Sequence, residues 1–170
     1  MLNLAGIVQD SIVDGPGLRT TIFCQGCPRR CPGCQNPDTW AFGAGTDIPA
    51  EDVLDIVRSN PLCRGVTFSG GEPFSQAEEL LPLARQLKSL GYETAAFTGY
   101  TFEELLDGSP AQRDLLGAVD VLVDGPFLLE EKSLELNFRG SRNQRVLNVP
   151  ASLREGRAVA ETSPRWLGEY

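Results

Sequence analysis

Four of the chain's five cysteines, Cys24, Cys27, Cys31 and Cys34, fall within eleven residues. Neither a helix nor a strand brings side chains at those intervals to a common point, so the segment reads as a loop. Pro28, Pro32 and Gly33 supply the turns that let several sulfurs converge. Arg29 and Arg30 add positive charge that should favour thiolates and an anionic cluster. The rest of the chain must be a scaffold that presents this loop.

Composition narrows what the scaffold can do. At 170 residues and 41% hydrophobic content the chain is expected to form one domain over 1–170, with a core large enough to fold without disulfides. An odd cysteine count and no basic-then-apolar leader point to the reducing cytoplasm, where clustered thiols more often bind metal than pair. The formal charge of −8 argues against broad binding to nucleic acid or an anionic membrane, and no apolar run is long enough to span a bilayer. There is no histidine, which removes Ser-His-Asp triads, Cys-His dyads and His-ligated zinc or haem.

Three metal readings compete for the cysteine loop. Structural zinc usually takes two C-x-x-C pairs a dozen or more residues apart, and here only three residues separate them. A fully ligated electron-transfer cluster would need a spacing that this segment does not match. The third reading takes Cys27, Cys31 and Cys34, C-x3-C-x2-C, as three ligands of a cubane and leaves one iron open for chemistry. Cys63 stands alone and reads as a small buried hydrophobe.

Along the chain, Leu18–Phe23 reads as a strand feeding the cysteine loop, and Pro49 opens a helix that Asn60-Pro61 stops. The next expected strand, 65–68, runs into Ser69-Gly70-Gly71-Glu72-Pro73. Ser75 with Glu78 then makes a capping box for a helix whose apolar face is Ala77, Leu80, Leu81, Ala84 and Leu87, with Pro82 marking a kink or a late start. A strand at 94–97 leads to capping boxes at Thr101/Glu104 and Ser109/Gln112; a buried strand follows at 119–123, and 145–149 reads as the last strand. The tail from Pro150 is polar and expected to be loosely held. Repeated β-then-α units mean an α/β fold with a mainly parallel sheet and right-handed crossovers. The working loops of such sheets follow the carboxyl ends of the strands. The cysteine loop, Gly70–Pro73, Thr98–Tyr100 and Asp124–Pro126 should therefore share one rim.

The ordered set of motifs resembles the radical S-adenosylmethionine enzymes, and within them the activases of glycyl-radical enzymes. The resemblance rests on Val13-Asp14-Gly15-Pro16-Gly17-Leu18-Arg19, the Gly26-Cys27 to Cys34-Gln35-Asn36 loop, Thr39-Trp40, Ser69-Gly70-Gly71-Glu72-Pro73, Thr98-Gly99-Tyr100, Val121 to Gly125 and Arg139 to Gln144. It implies a shortened, open (β/α) barrel, with a 4Fe–4S cluster ligated by Cys27, Cys31 and Cys34. It implies S-adenosyl-L-methionine as cosubstrate, bound near Gly33, Cys34, Gln35, Ser69, Gly70, Gly71 and Glu72. It further implies reductive cleavage of that cosubstrate, fed by a low-potential electron donor. Hydrogen-atom abstraction from a glycine of a partner would follow, the partner being the glycyl-radical subunit of an anaerobic ribonucleoside-triphosphate reductase. A different glycyl-radical partner, or a small-molecule substrate as in deazaguanine-forming synthases, is the alternative.

Two departures stand out. Cys24 is an extra thiol with no role in the resemblance, either buried in its strand or close enough to misligate the cluster. Gln35 stands where relatives often carry an aromatic that packs on adenine. Taken alone, Asp14–Gly17 and Asp124–Pro126 are turns, and Arg139–Arg145 is a solvated loop.

Overall fold

A computed structural model describes residues 1–168 of the chain. Seven strands form one open sheet in the order β3-β1-β2-β4-β5-β6-β7. They are β1 (Leu2–Ser11), β2 (Arg19–Cys24), β3 (Thr46–Ile48), β4 (Gly65–Gly70), β5 (Glu93–Phe97), β6 (Val121–Asp124) and β7 (Arg145–Asn148). The central strands β2, β4, β5 and β6 run parallel. Antiparallel strands finish the sheet at both edges, β1 and β3 on one side and β7 on the other.

The helices are α1 (Ala50–Arg58), α2 (Ala77–Ser89), α3 (Phe102–Leu106), α4 (Pro110–Ala118), α5 (Val149–Glu155) and α6 (Pro164–Leu167). Both later capping boxes form as their text predicts: Thr101 with Glu104 starts α3, and Ser109 with Gln112 starts α4, where Pro110 takes the first helical position. The Ser75–Glu78 box does not form. A 3₁₀ turn, Pro73–Gln76, precedes α2, and its cap is Glu72, whose carboxylate accepts from Phe74 N–H. Pro73 presets that turn and Phe74 is buried, so the entry is capped three residues earlier than the sequence pattern suggests. Pro82 lies inside α2.

The sheet separates two apolar clusters. Ile22, Val66, Phe68, Ala96 and Leu122 pack with Val57, Leu80, Leu83, Leu87 and Leu115 of the helices. Ala95, Val121 and Val123 point to the other face and pack with Trp166. In α2 the buried stripe is Ala77, Leu80, Leu83, Ala84 and Leu87, so Leu83 takes the place expected of Leu81.

Three expectations need correction. β1 and β3 are absent from the pattern reading, because β1 carries Ala5 and Gly6 and bulges twice against β2, while β3 is only three residues long. The strand at 145–149 is antiparallel and ends at Asn148, whose side chain caps α5. The tail after Pro150 is not loose. Leu147 bridges to Ala160, Arg165 pairs with Glu93 at 2.7 Å, and Trp166 is only 2% exposed. One buried indole on the second sheet face is enough apolar area to hold so short a polar segment. Among the described residues no helix is long and apolar enough to cross a membrane.

Candidate metal centre and its rim

β2 ends on Cys24, in register with Gly70 at the end of the parallel neighbour β4. Just beyond, the two chains are stitched together. Gly71 N–H donates to Cys24 O at 2.7 Å, and Glu72 N–H donates to Gly26 O at 2.8 Å. The cysteine loop closes on its own start: Gly26 N–H donates to Thr39 O at 2.6 Å and Cys27 N–H to Trp40 O at 3.1 Å. Gln25, 5% exposed, ties the base by donating from Nε2 to Asp38 O and Ala41 O. Sequence reasoning passed over Gln25. Its one signal is a polar amide placed between a strand end and a loop, where buried carbonyls need donors.

Within the loop Cys34 N–H donates to Cys31 O at 3.0 Å, closing a turn with Pro32 and Gly33 at its centre and Gly33 at φ +76°. That is the residue pattern of a type II turn. Cys27, Cys31 and Cys34 are all free thiols of intermediate burial. Asn36 N–H donates to Cys34 Sγ at 3.4 Å. Cys24 is fully buried in the helix-side core, and burial, with the Glu72 charge second, pushes its thiol far up. It is part of the packing, not of the loop.

The arginines act differently from expectation. Burial pushes the Cys27 thiol up, and what opposes this is the backbone of Arg29 and Arg30. The Arg29 guanidinium lies over the Tyr100 ring at 4.7 Å and 3.5 Å from Glu104. It therefore clamps the cysteine loop to the loop after β5.

Gly70 and Gly71 are glycines of necessity. Gly70 has φ +94°, and a Cβ there would stand 2.6 Å from Cys24 N and O; at Gly71 it would collide with Gly26 O. The steric demand comes from the protein's own backbone. Ser69 is partly exposed beside them, and Gly33 and Gln35 are exposed on the cysteine loop. Glu72 is 1% exposed, and its carboxylate accepts from Phe74 N–H, Thr98 Oγ1–H and Gly99 N–H. Expected among the cosubstrate contacts, it faces the protein and joins the loops after β4 and β5. Burial holds its carboxyl above the usual range, against the pull of those donors.

The remaining rim loops are similarly knit. Gly125 N–H donates to Tyr100 O at 2.9 Å. Asp124, 1% exposed, accepts from Phe102 N–H and from Arg145 at 3.0 and 2.5 Å. That carboxylate is a structural link. Asn143 and Gln144 donate to Pro126 O and Gly125 O, so Arg139–Arg145 is folded onto the turn after β6. The four rim loops thus sit together as their positions after strands predict. Asp14–Gly17 precedes β2 and lies at its other end, where Asp14 accepts from Ser11 and Thr21.

Among the described residues no three Cys, Asp or Glu side chains are grouped as ligands of a single ion. Tetrahedral zinc would ask for sulfurs roughly 3.8 Å apart. A cubane takes one thiolate per iron and spreads its ligands more widely. Three unpaired, partly exposed thiols on a turn-rich loop, with an N–H···S hydrogen bond at Cys34, are a donor set that suits one thiolate per iron.

Fold and loop together define a class, the single-cluster iron–sulfur proteins: residues 13–147 match the family model described as "4Fe-4S single cluster domain". An anaerobic ribonucleoside-triphosphate reductase-activating protein from Haemophilus influenzae is 35% identical over 141 residues, covering 78% of this chain and 89% of that protein. The chain belongs to this family, the anaerobic ribonucleoside-triphosphate reductase-activating proteins. A pyruvate formate-lyase-activating enzyme from Clostridium pasteurianum is 44% identical over 104 residues, covering 56% of this chain and 44% of that one. Among solved structures, QueE from Escherichia coli superposes with a TM-score of 0.50 at 25% identity, over 59% of this chain and 53% of that one.

Proposed function

We propose that the chain activates an anaerobic ribonucleoside-triphosphate reductase by generating a glycyl radical on it, using a 4Fe–4S cluster and S-adenosyl-L-methionine. The observation that carries the reading is the backbone stitching of the C-x3-C-x2-C loop to the Gly70–Gly71 segment, which sets thiols and bare backbone side by side on one rim. The similarity to named activating proteins supports the choice of partner.

In this reading Cys27, Cys31 and Cys34 each hold one iron. Gly33, Cys34, Gln35, Ser69, Gly70 and Gly71 border the cosubstrate, and Glu72 keeps that border in shape from beneath. The bound cluster and cosubstrate supply one-electron cleavage of a sulfonium and, from it, a carbon radical able to take a hydrogen atom from glycine. The chain's own work is to ligate, orient and shield. It needs no general acid or base, which agrees with a rim whose two buried carboxylates, Glu72 and Asp124, are both committed to protein donors. A low-potential donor in the cytoplasm would supply the electron, and residues 1–170 would act as one domain.

The match to a pyruvate formate-lyase-activating enzyme favours a second reading, in which another glycyl-radical enzyme is the partner. The deciding experiment reconstitutes the protein with iron and sulfide without oxygen, adds reductant, cosubstrate and the reductase, and records the electron paramagnetic resonance spectrum. A glycyl doublet on the reductase, lost with Cys31→Ala, is expected. Full cosubstrate cleavage by Cys31→Ala, a doublet formed only on a different partner, or zinc without iron in protein purified anaerobically would each overturn the proposal.

A further inference from the structure

The cysteine loop is held in two different ways. Its base, Gln25 to Cys27, is fixed by hydrogen bonds to Asn3, to Asp38 through Ala41 and to Glu72. The stretch 30–36, which carries Cys31 and Cys34, makes no hydrogen bond outside the loop among the described residues. Its bonds are internal: Cys34 N–H to Cys31 O, Asn36 N–H to Cys34 Sγ, and those that Asn36 O accepts from Thr39. Two of the three loop thiols therefore ride on a turn that hydrogen bonding does not tie to the fold.

What meets this turn is apolar. Two strands, β4 and β5, stand between β2 and β6, yet the segment after β6 reaches the loop after β2. A Cβ at Gly33 would stand 2.7 Å from Leu129 Cδ1 and 3.4 Å from Phe127 Cε1. The opposite edge of the Phe127 ring lies against Gly140, where a Cβ would be 3.0 Å from Cδ2 and 3.2 Å from Cε2. The ring is thus wedged between two glycines. One is in the thiol-bearing turn, and the other belongs to the segment that Asn143 and Gln144 bind to the turn after β6.

Neither Phe127 nor Leu129 is a member of the two apolar clusters of the fold, and Leu129 is half exposed. Their packing therefore serves this contact rather than the core. A turn left free would have to be ordered when its thiolates took up iron, and that entropy would be lost from binding. A turn already seated avoids the loss.

We propose that Phe127 and Leu129 are positioning residues: they seat the Cys31–Cys34 turn and so aim two of the three ligand thiols, while the loop base aims Cys27. The purpose of the seat rests on the cluster reading given above, but the seat itself is open to test in metal-free protein.

The test alkylates the metal-free full chain with iodoacetamide, without oxygen, and follows each cysteine by mass spectrometry. Iron bound per chain is measured alongside, after anaerobic reconstitution with limiting iron and sulfide. In Leu129→Ala and Phe127→Ala, alkylation of Cys31 and Cys34 should rise about fivefold, with Cys24, Cys27 and Cys63 at wild-type rates. Iron content should fall in both. Leu129→Met keeps the side-chain volume and should restore both readings. Equal acceleration at all three loop thiols, or acceleration at buried Cys24 or Cys63, would show a general loosening and overturn the assignment. So would unchanged alkylation or unchanged iron content in both alanine variants, or a Leu129→Met variant that behaves like Leu129→Ala. Zinc in place of iron in the wild type would overturn the cluster reading and not the seat, which the alkylation pattern decides by itself.

Discussion

Gly99 N–H donates to Glu72 Oε2 at 2.8 Å across 27 residues of sequence, and Thr98 Oγ1–H donates to the other oxygen at the same distance. One carboxylate thereby holds two rim loops at a fixed separation. Because the loop after β4 is also bonded to the cysteine loop, a disturbance at Glu72 reaches the thiols through backbone alone.

Glu72→Ala leaves three buried donors without their acceptor, and unfolding in urea should show a loss of about 2–4 kcal/mol. Cosubstrate affinity should fall in the same variant, because the Gly70–Gly71 segment loses its anchor.

The pH dependence at Glu72 has a definite sign. Burial, the largest influence, raises its carboxyl in the folded state. The native protein then binds that proton more readily than the unfolded chain, whose carboxyl titrates at about 4.3. The contribution to stability is complete below that value and lost as pH rises through the raised folded value. The unfolding free energy of the wild type minus that of Glu72→Gln should therefore decline as pH rises above about 4.3, and then level off. An opposite slope in the urea titrations would mean that the three donors outweigh burial.

Glycine substitutions should separate by what surrounds them. Gly71→Ala meets the Gly26 carbonyl, and Gly70→Ala meets Cys24 backbone at φ +94°; neither neighbour can move without opening the loop. Both variants should lose iron on reconstitution and roughly 2 kcal/mol or more of stability. Gly117→Ala, in α4 with nothing within 4 Å, should instead raise stability by about 0.4–1 kcal/mol.

Cys24 provides a contrast to the three loop thiols. Cys24→Ala removes a sulfur from a packed core, so a cost of about 1 kcal/mol is expected, with iron content per chain unchanged. Iron loss matching that of Cys31→Ala would make Cys24 a ligand.

Trp166→Ala should cost about 3–5 kcal/mol by emptying the second sheet face. It should also free Arg19, which lies 5.4 Å from the indole and pairs with Glu93 at 2.8 Å. Thermal unfolding and proteolysis of residues beyond Glu155 would report both effects.

Local chemistry decided a large part of this protein in its sequence. The parallel strands, both formed capping boxes and the turn at Pro32-Gly33 depend on neighbours a few residues apart, and each was legible in the order of the residues. The placement of four loops on one rim followed from their each succeeding a strand, which is a rule of parallel sheets rather than of any one contact. Tertiary structure decided the rest, because burial and long-range partners carry no local signature. Only the folded chain turns Glu72 inward to Thr98 and Gly99, ties Asp124 to Arg145, sinks Cys24 into the core and seats Trp166 on the second face.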